Sequence, residues 1–255
     1  MARLQGQGLR LAMGARTLCR DLDLAIAAGE CWGILGGNGS GKTTLLHTLA
    51  GLRPADNGKI LLDGAPLAQL HRRTVAQRLG LLLQDSQDPF PASVWETALS
   101  GRHPHLGRWQ SETPQDHARV RDALATMELG GMEERSIQSL SGGERRRLAI
   151  ATLLTQDPAL LLLDEPLNHL DLRHQQALLQ HLRRLCDERD KGVAMVLHDP
   201  NQALRYCDRV LLLGGDGTWQ AGRCEELLTA ETLSQLYGCP IEMLEQDGRR
   251  LLLPY

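Results

Sequence analysis

The 255-residue sequence predicts an α/β fold: a core with a mostly parallel sheet, N-terminal antiparallel strands and an inserted helical subdomain. Three observations carry this reading. Apolar runs of strand length recur at 31–35, 79–83, 159–163 and 193–197, and a helical stretch, Leu172 to Cys186, lies between the last two. Between residues 86 and 157 the strand pattern stops, leaving prolines and helical periodicity. Ahead of residue 29, two runs alternate apolar and polar residues, as half-buried antiparallel strands do. We read 1–255 as a single domain, with 1–85 and 158–255 as the core and 86–157 as the helical subdomain.

Taken in order, Leu9 to Ala28 forms strand, turn and strand around Met13-Gly14-Ala15-Arg16. Cys31 to Leu35 is a short buried strand. It runs into Gly36-Gly37-Asn38-Gly39-Ser40-Gly41-Lys42-Thr43, which fits G-x-x-x-x-G-K-[ST], and a helix from Thr43 to Ala50 follows, stopped by Gly51. In that strand–loop–helix context the glycines read as a phosphate-binding loop rather than an ordinary glycine-rich turn, and the core as a P-loop NTPase core. Glycines let backbone N–H groups turn inward around a polyphosphate, and the helix N-terminus adds partial positive charge. Lys42 is expected to reach the β- and γ-phosphates and the Thr43 hydroxyl to hold Mg²⁺, with Thr44 in the same nucleotide-binding set. Lysine occurs only at 42, 59 and 191, so the motif is not a product of lysine-rich composition.

Gly58 to Gly64 is a further strand with a D-G turn, and Leu79 to Leu83 a buried run ending in Gln84. Helices are expected at Val94 to Leu99, His117 to Met127 and Glu144 to Thr155. From Arg209 to Tyr255 strands and a short helix, Glu225 to Leu228, complete the sheet and pack the C-terminus.

Composition narrows the function classes. Hydrophobic content of 42% and charged content of 23% are those of a globular protein, and a net charge of −3 gives no reason to expect capture of nucleic acid. No apolar run reaches membrane-span length, and Met1-Ala2-Arg3-Leu4 has no signal-peptide core, so a cytoplasmic location is the default expectation. Six cysteines without C-x-x-C spacing read as reduced packing residues.

Asp164-Glu165 closes a run of four leucines. A carboxylate at the carboxyl end of a buried parallel strand sits where ligands bind in open sheets. There Asp164 can hold Mg²⁺ through water, and Glu165 can polarise an attacking water. A solvated strand end before Pro166 is the other reading of the same residues. Leu140-Ser141-Gly142-Gly143-Glu144 also reads two ways. Ser141 and Glu144 make a capping box, while Gly142 and Gly143 leave backbone N–H groups open as a second anion site. Two helix-terminal phosphate sites in one chain are explained if each nucleotide is gripped by two protomers.

Gly36 to Thr43, Gln84, Leu140 to Glu144, Leu160 to Glu165, Asn168-His169-Leu170-Asp171 and His198 stand in the order and spacing of the ATP-binding subunits of ABC transporters, which the sequence resembles over nearly its whole length. The L-S-G-G-E element is the most specific part. The resemblance implies a head-to-tail homodimer with two ATP molecules and Mg²⁺ at the interface. In it Ser141 and Gly143 of one copy face the γ-phosphate held by Lys42 of the other. It also implies that Gln84 contacts Mg²⁺ and the attacking water and senses a membrane partner, with Gln87 as a rival. Asp171 ends a loop crossing the interface, and His198 bonds the γ-phosphate and Glu165. One departure stands out. The family stacks adenine on an aromatic residue, commonly in a Tyr-Gly pair; here the pair is Met13-Gly14, and a thioether can still pack on a ring.

Gly101-Arg102-His103-Pro104-His105-Leu106-Gly107-Arg108, Val196 to Ala203 and Leu236-Tyr237-Gly238 resemble the branch serving iron-siderophore, haem and cobalamin importers. That implies an integral membrane permease as partner, an extracytoplasmic substrate-binding protein acting indirectly, and a peripheral place on the cytoplasmic face of the inner membrane. His103 and His105 flank a proline and are poorly placed to share one ion. Phe90, between Pro89 and Pro91, suits an interface anchor or a plug under the helical block. Arg145 to Arg147 read as a solvated helix face. The alternatives fit less well. A soluble ABC ATPase acting on DNA or ribosomes would bring coiled coils or a duplicated domain. A small-molecule kinase leaves Leu140 to Glu144 and the pairing of Glu165 with His198 without a purpose. A nucleotide-gated module that does not hydrolyse leaves Glu165 unexplained.

Overall fold

The computed structural model describes residues 3–84, 91–246 and 248–255. Gln87 and Phe90 lie outside them. Along the chain, β1 (Arg3–Met13) and β2 (Arg16–Ala27) form a hairpin through the Gly14-Ala15 turn, pairing Met13 with Arg16. Next come β3 (Cys31–Gly36), α1 (Lys42–Leu49), β4 (Asn57–Leu62) and the short β5 (Ala65–Pro66). Asp63 and Gly64 both take positive φ, 53° and 84°, and make the tight turn between β4 and β5. Helix α2 (Arg72–Arg78), which has no buried residue and gave no apolar period to read, leads into β6 (Leu79–Leu82).

Helices α3 (Val94–Ser100), α4 (Pro114–Thr126) and α5 (Gly142–Gln156) fill the expected helical stretch. Each starts on a capping box, Ser93 with Glu96, Thr113 with Asp116 and Ser141 with Glu144, which satisfies two exposed backbone donors apiece. The chain returns to the sheet with β7 (Leu160–Leu163), α6 (Leu172–Arg189), β8 (Gly192–Val196), α7 (Pro200–Tyr206), β9 (Arg209–Leu213) and β10 (Trp219–Arg223). It closes with α8 (Cys224–Leu227), α9 (Ala230–Tyr237) and the hairpin β11 (Ile241–Gln246) and β12 (Arg249–Pro254). This hairpin is a correction: β9 and β10 complete the main sheet, but β11 and β12 pair only with each other among the described residues.

The main sheet has the order β10-β9-β3-β8-β7-β6, parallel except for β10, and a second, antiparallel sheet has the order β2-β1-β4-β5. Strand alternation explains how the main sheet holds both sides. Cys31, Leu35, Leu161, Leu163, Val193, Met195, Val210 and Leu212 point into one core with α3 to α7. Trp32, Ile34, Leu160, Leu162, Ala194, Val196, Leu211 and Leu213 point into the other, with α1 and the antiparallel sheet. Each fully buried leucine contributes about 2 kcal/mol, and such continuous apolar strands have no solvated face to slip toward. Five of the six cysteines are buried thiols. Among the described residues no helix is long and apolar enough to cross a membrane.

Candidate functional site

Strand β3 delivers the glycine loop to the carboxyl edge of the sheet. A side chain at Gly36 would stand 2.5 Å from the Leu213 carbonyl oxygen and 2.6 Å from Ser40 Oγ. Gly41 has φ of +102° and would put a Cβ 2.9 Å from Leu18 Cβ. These two positions accept no other residue without moving backbone or core. Lys42 is 6% exposed, and its ammonium donates to the Gly36 and Gly37 carbonyls at 2.8 and 2.9 Å, inside the loop. Burial lowers its pKa, opposed by the charges of Glu165 and Asp164. Ser40 Oγ is buried with no hydrogen-bond partner among the described residues. Asn38 is exposed at the loop tip, and Thr43 and Thr44 lie in the first turn of α1, where N–H groups lack intrahelical partners. Met13, 57% exposed, is paired across the hairpin with Arg16. The Arg16 guanidinium bonds the Gly215 carbonyl at 2.9 Å and lies against Gly39, so the hairpin tip borders the loop.

Two strands away, β7 ends in Asp164 and Glu165. Asp164 is fully buried, and among the described residues neither carboxylate oxygen has a hydrogen-bond partner of ordinary geometry. Burial raises its pKa above the usual carboxylate value; the Thr43 hydroxyl opposes this and the Glu165 charge adds to it. A buried carboxylate facing a threonine hydroxyl, with its oxygens unsatisfied, is a donor set for a hard divalent cation. Glu165 takes φ of 48°, a left-handed turn that aims its side chain back across the strand ends. Its Oε1 lies 2.9 Å from His198 Nε2, while its Oε2 accepts from Gln84 Nε2 at 3.2 Å and from Asn168 Nδ2. The glutamate side chain is 13% exposed and the histidine 51%, so the pair closes the floor of an open cleft. A cavity of about 260 Å³ adjoins it, lined among others by Asn168, His169 and Gln202.

The Ser141 hydroxyl accepts from the Glu144 N–H, and Glu144 Oε2 accepts from the Ser141 N–H at 2.7 Å. The capping box and the glycine tip are thus both real: the box holds the first turn while Ser141 and Gly142 remain exposed. A Cβ on Gly143 would meet the His169 carbonyl oxygen at 2.8 Å, so the tip is seated on the loop that leads to Asp171. Asp171 caps α6 by accepting from the His174 N–H at 2.9 Å and is mostly exposed. Helix α5 is anchored at the ends of β7 and β6, two and three strands from β3, or about 10 to 14 Å at strand spacing. One chain therefore brings together Gln84, Asp164, Glu165, His198 and the Lys42 loop, and leaves Ser141 to Glu144 on a separate outlet.

The solvated arginine face needs correction. Arg146 is 6% exposed and bonds carbonyls at the ends of β6 and β7. Its helical position between exposed Arg145 and half-buried Arg147 gave no hint, because a charged triplet looks the same whichever member turns inward. Arg16 was likewise invisible, since only pairing to Met13 puts it on the loop. The His-Pro-His element is a structural bracket. Pro104 O accepts from Arg73 at 2.8 Å and from Gln77 at 2.7 Å, and His105 Nε2 lies 2.8 Å from Gln156 O.

The ABC transporter family profile matches residues 19–168. The ferric enterobactin transport ATP-binding protein FepC of Escherichia coli K12 is 36% identical, over 100% of this chain and 94% of its own. The hemin import ATP-binding protein HmuV of Streptomyces coelicolor is 38% identical, over 97% of this chain and 88% of its own. A solved chain of an inward-facing metal-chelate type ABC transporter superposes with a TM-score of 0.85 at 28% identity, covering 100% of this chain and 98% of that one. A likeness that runs the whole length of the sequence, on the same fold, means that this chain belongs to the ABC transporter family and is an ATP-binding, ATP-hydrolysing subunit.

Proposed function

We propose that the chain powers uptake of a metal chelate of siderophore, haem or cobalamin type. It does so through a separate integral membrane permease, peripheral to the cytoplasmic face of the inner membrane, with an extracytoplasmic binding protein delivering the chelate. ABC ATPases work as dimers with membrane permease partners; here the dimer is a head-to-tail homodimer with ATP at each of two composite sites. The observation that carries the reading is the pairing of Glu165 with His198 and Gln84 beside the Lys42 loop, while the Ser141-Gly142-Gly143 tip opens elsewhere. Relatives named for ferric enterobactin and hemin support the chelate class.

In this reading the N–H groups of Gly37 to Thr44 and the Lys42 ammonium grip the phosphates, and Met13 packs on adenine. Thr43, Gln84 and Asp164 would hold Mg²⁺; the unsatisfied Asp164 oxygens fit that role. When bound, the ion would neutralise charge building on the phosphates. Glu165 takes the proton of the attacking water, with His198, Gln84 and Asn168 fixing its carboxylate. The partner's Ser141 hydroxyl and Gly143 N–H meet the γ-phosphate, and the loop at Asp171 crosses between copies. The helical segment 86–157 acts as a subdomain on the core of 1–85 and 158–255.

The test is reconstitution with the co-purified permease, followed by ATP hydrolysis in the presence of binding proteins loaded with a ferric siderophore, haem or a corrinoid. Stimulation by one of these is expected. Stimulation only by a binding protein for a metal-free solute would overturn the substrate class.

A further inference from the structure

The Arg146 side chain spans two strand ends that the hydrolysis site depends on. Nη1 donates to the carbonyls of Leu83 and Gln84 at 2.6 and 3.1 Å. Nη2 donates to the carbonyls of Asp164 and Glu165, the latter at 2.7 Å, and Nε reaches the Pro166 carbonyl at 3.4 Å. A guanidinium carries one N–H on Nε and two on each Nη, and among the described residues its three nitrogens reach five carbonyls. Lysine offers three donors on one nitrogen and glutamine two, so neither can span both strand ends in the same plane.

The carbonyls belong to the residues whose side chains do the work. Gln84 and Glu165 meet at 3.2 Å, and the Asp164 carboxylate feels both the Thr43 hydroxyl and the Glu165 charge. Holding their backbones in one plane sets the separation at which the side chains meet. Arg146 also grows from the helix whose first turn is Gly142-Gly143. We propose that Arg146 is a positioning residue for ATP hydrolysis, aligning the Gln84 and Glu165 strand ends and locking them to the helix that carries the Ser141-Gly142-Gly143 tip. One consequence rests on the head-to-tail reading above: that tip belongs to one nucleotide and Glu165 to the other, so Arg146 links the two sites.

The experiment compares full-length Arg146→Lys and Arg146→Gln with the parent. It records ATP dissociation constants, kcat and KM for hydrolysis, the Hill coefficient for ATP, thermal midpoints, and ATP-driven dimerisation of each in the Glu165→Gln background. Both variants are expected to bind ATP within about threefold of the parent and to lose about 10- to 100-fold in kcat, the loss typical of a catalytic group misplaced by about an ångström. Lysine is not expected to rescue, although it keeps the charge, and the Hill coefficient should fall toward one. A parental kcat in either variant overturns the proposal. So does a fall in ATP affinity and thermal midpoint that accounts for the lost rate, or failure of both variants to fold, since each marks a plain structural strut. Absence of dimers in the Glu165→Gln single variant would instead sink the head-to-tail reading and leave the positioning role to be judged on kcat alone.

Discussion

Replacing Glu165 by glutamine separates chemistry from architecture, because the site can accept an amide without losing its hydrogen bonds. In the native protein Oε2 accepts from Gln84 and Asn168, and Oε1 lies 2.9 Å from His198 Nε2. An amide placed with its oxygen toward Gln84 and Asn168 keeps both acceptances. Its NH₂ then points at His198, whose ring nitrogen can accept as well as donate. Shape and volume are unchanged, so the folding cost is expected to stay below about 1 kcal/mol. What is lost is basicity. A positioned general base contributes about 10² to 10⁴ in rate, or about 3 to 6 kcal/mol of barrier at about 1.4 kcal/mol per factor of ten. Phosphate release at saturating Mg-ATP should fall by that factor, while equilibrium dialysis returns an unchanged ATP affinity. A variant that hydrolyses within threefold of the parent would refute the general-base assignment, and a variant that unfolds would refute the amide argument.

Three further outcomes follow from particular contacts. Gly143→Ala would drive a Cβ into the His169 carbonyl, 2.8 Å away, at a cost of about 1 to 3 kcal/mol. Its ATPase activity should drop at least about tenfold while ATP binding at the Lys42 loop persists. Asp116 is held at about 2 by the Thr113 hydroxyl and N–H and by Arg102. A carboxyl whose folded pKa is depressed stabilises the fold above its unfolded pKa and loses that contribution as pH falls through its folded value. Urea unfolding from about pH 5 down to about pH 2 should therefore show the parent losing stability faster than Asp116→Asn. Asp164 has the opposite sign: its folded pKa is raised, so ionised Asp164 costs stability, and the cost vanishes once it is protonated. Asp164→Asn should melt on the order of 2 °C higher at neutral pH without nucleotide, the gain shrinking toward acid, and it should lose the extra stabilisation that Mg²⁺ gives the parent with ATP.

The loop from Gly36 to Thr43, the carboxylates at 164 and 165 and the signature from Leu140 to Glu144 could be read from residues alone, because each is local: a turn chemistry, a strand end, a helix start. The parallel strands were legible for a related reason, since β3, β7 and β8 are buried on both faces and leave unbroken apolar runs. Helices α2 and α7 were not, as they are a bare two turns and bury at most Ala203 and Tyr206 between them. The separate hairpin of β11 and β12 was misassigned because alternating apolar residues report a strand but not its partner. Asn168 and Arg146 escaped for the same reason at the site. Their roles arise from contacts to Glu165 and to five carbonyls, which only the folded chain assembles. Met13 was flagged by its place in a sequence pair, and its neighbour Arg16, one hairpin turn away, was not.

In the proposed mechanism, two copies close around nucleotide. Sedimentation velocity of the Glu165→Gln protein, with Mg-ATP and with Mg-ADP, tests that most directly. The expected result is a dimer with ATP that retains one nucleotide per copy, monomer with ADP, and monomer with ATP once Ser141→Arg is added. A chain that stays monomeric with Mg-ATP at saturating nucleotide, while still binding it, would contradict the central claim.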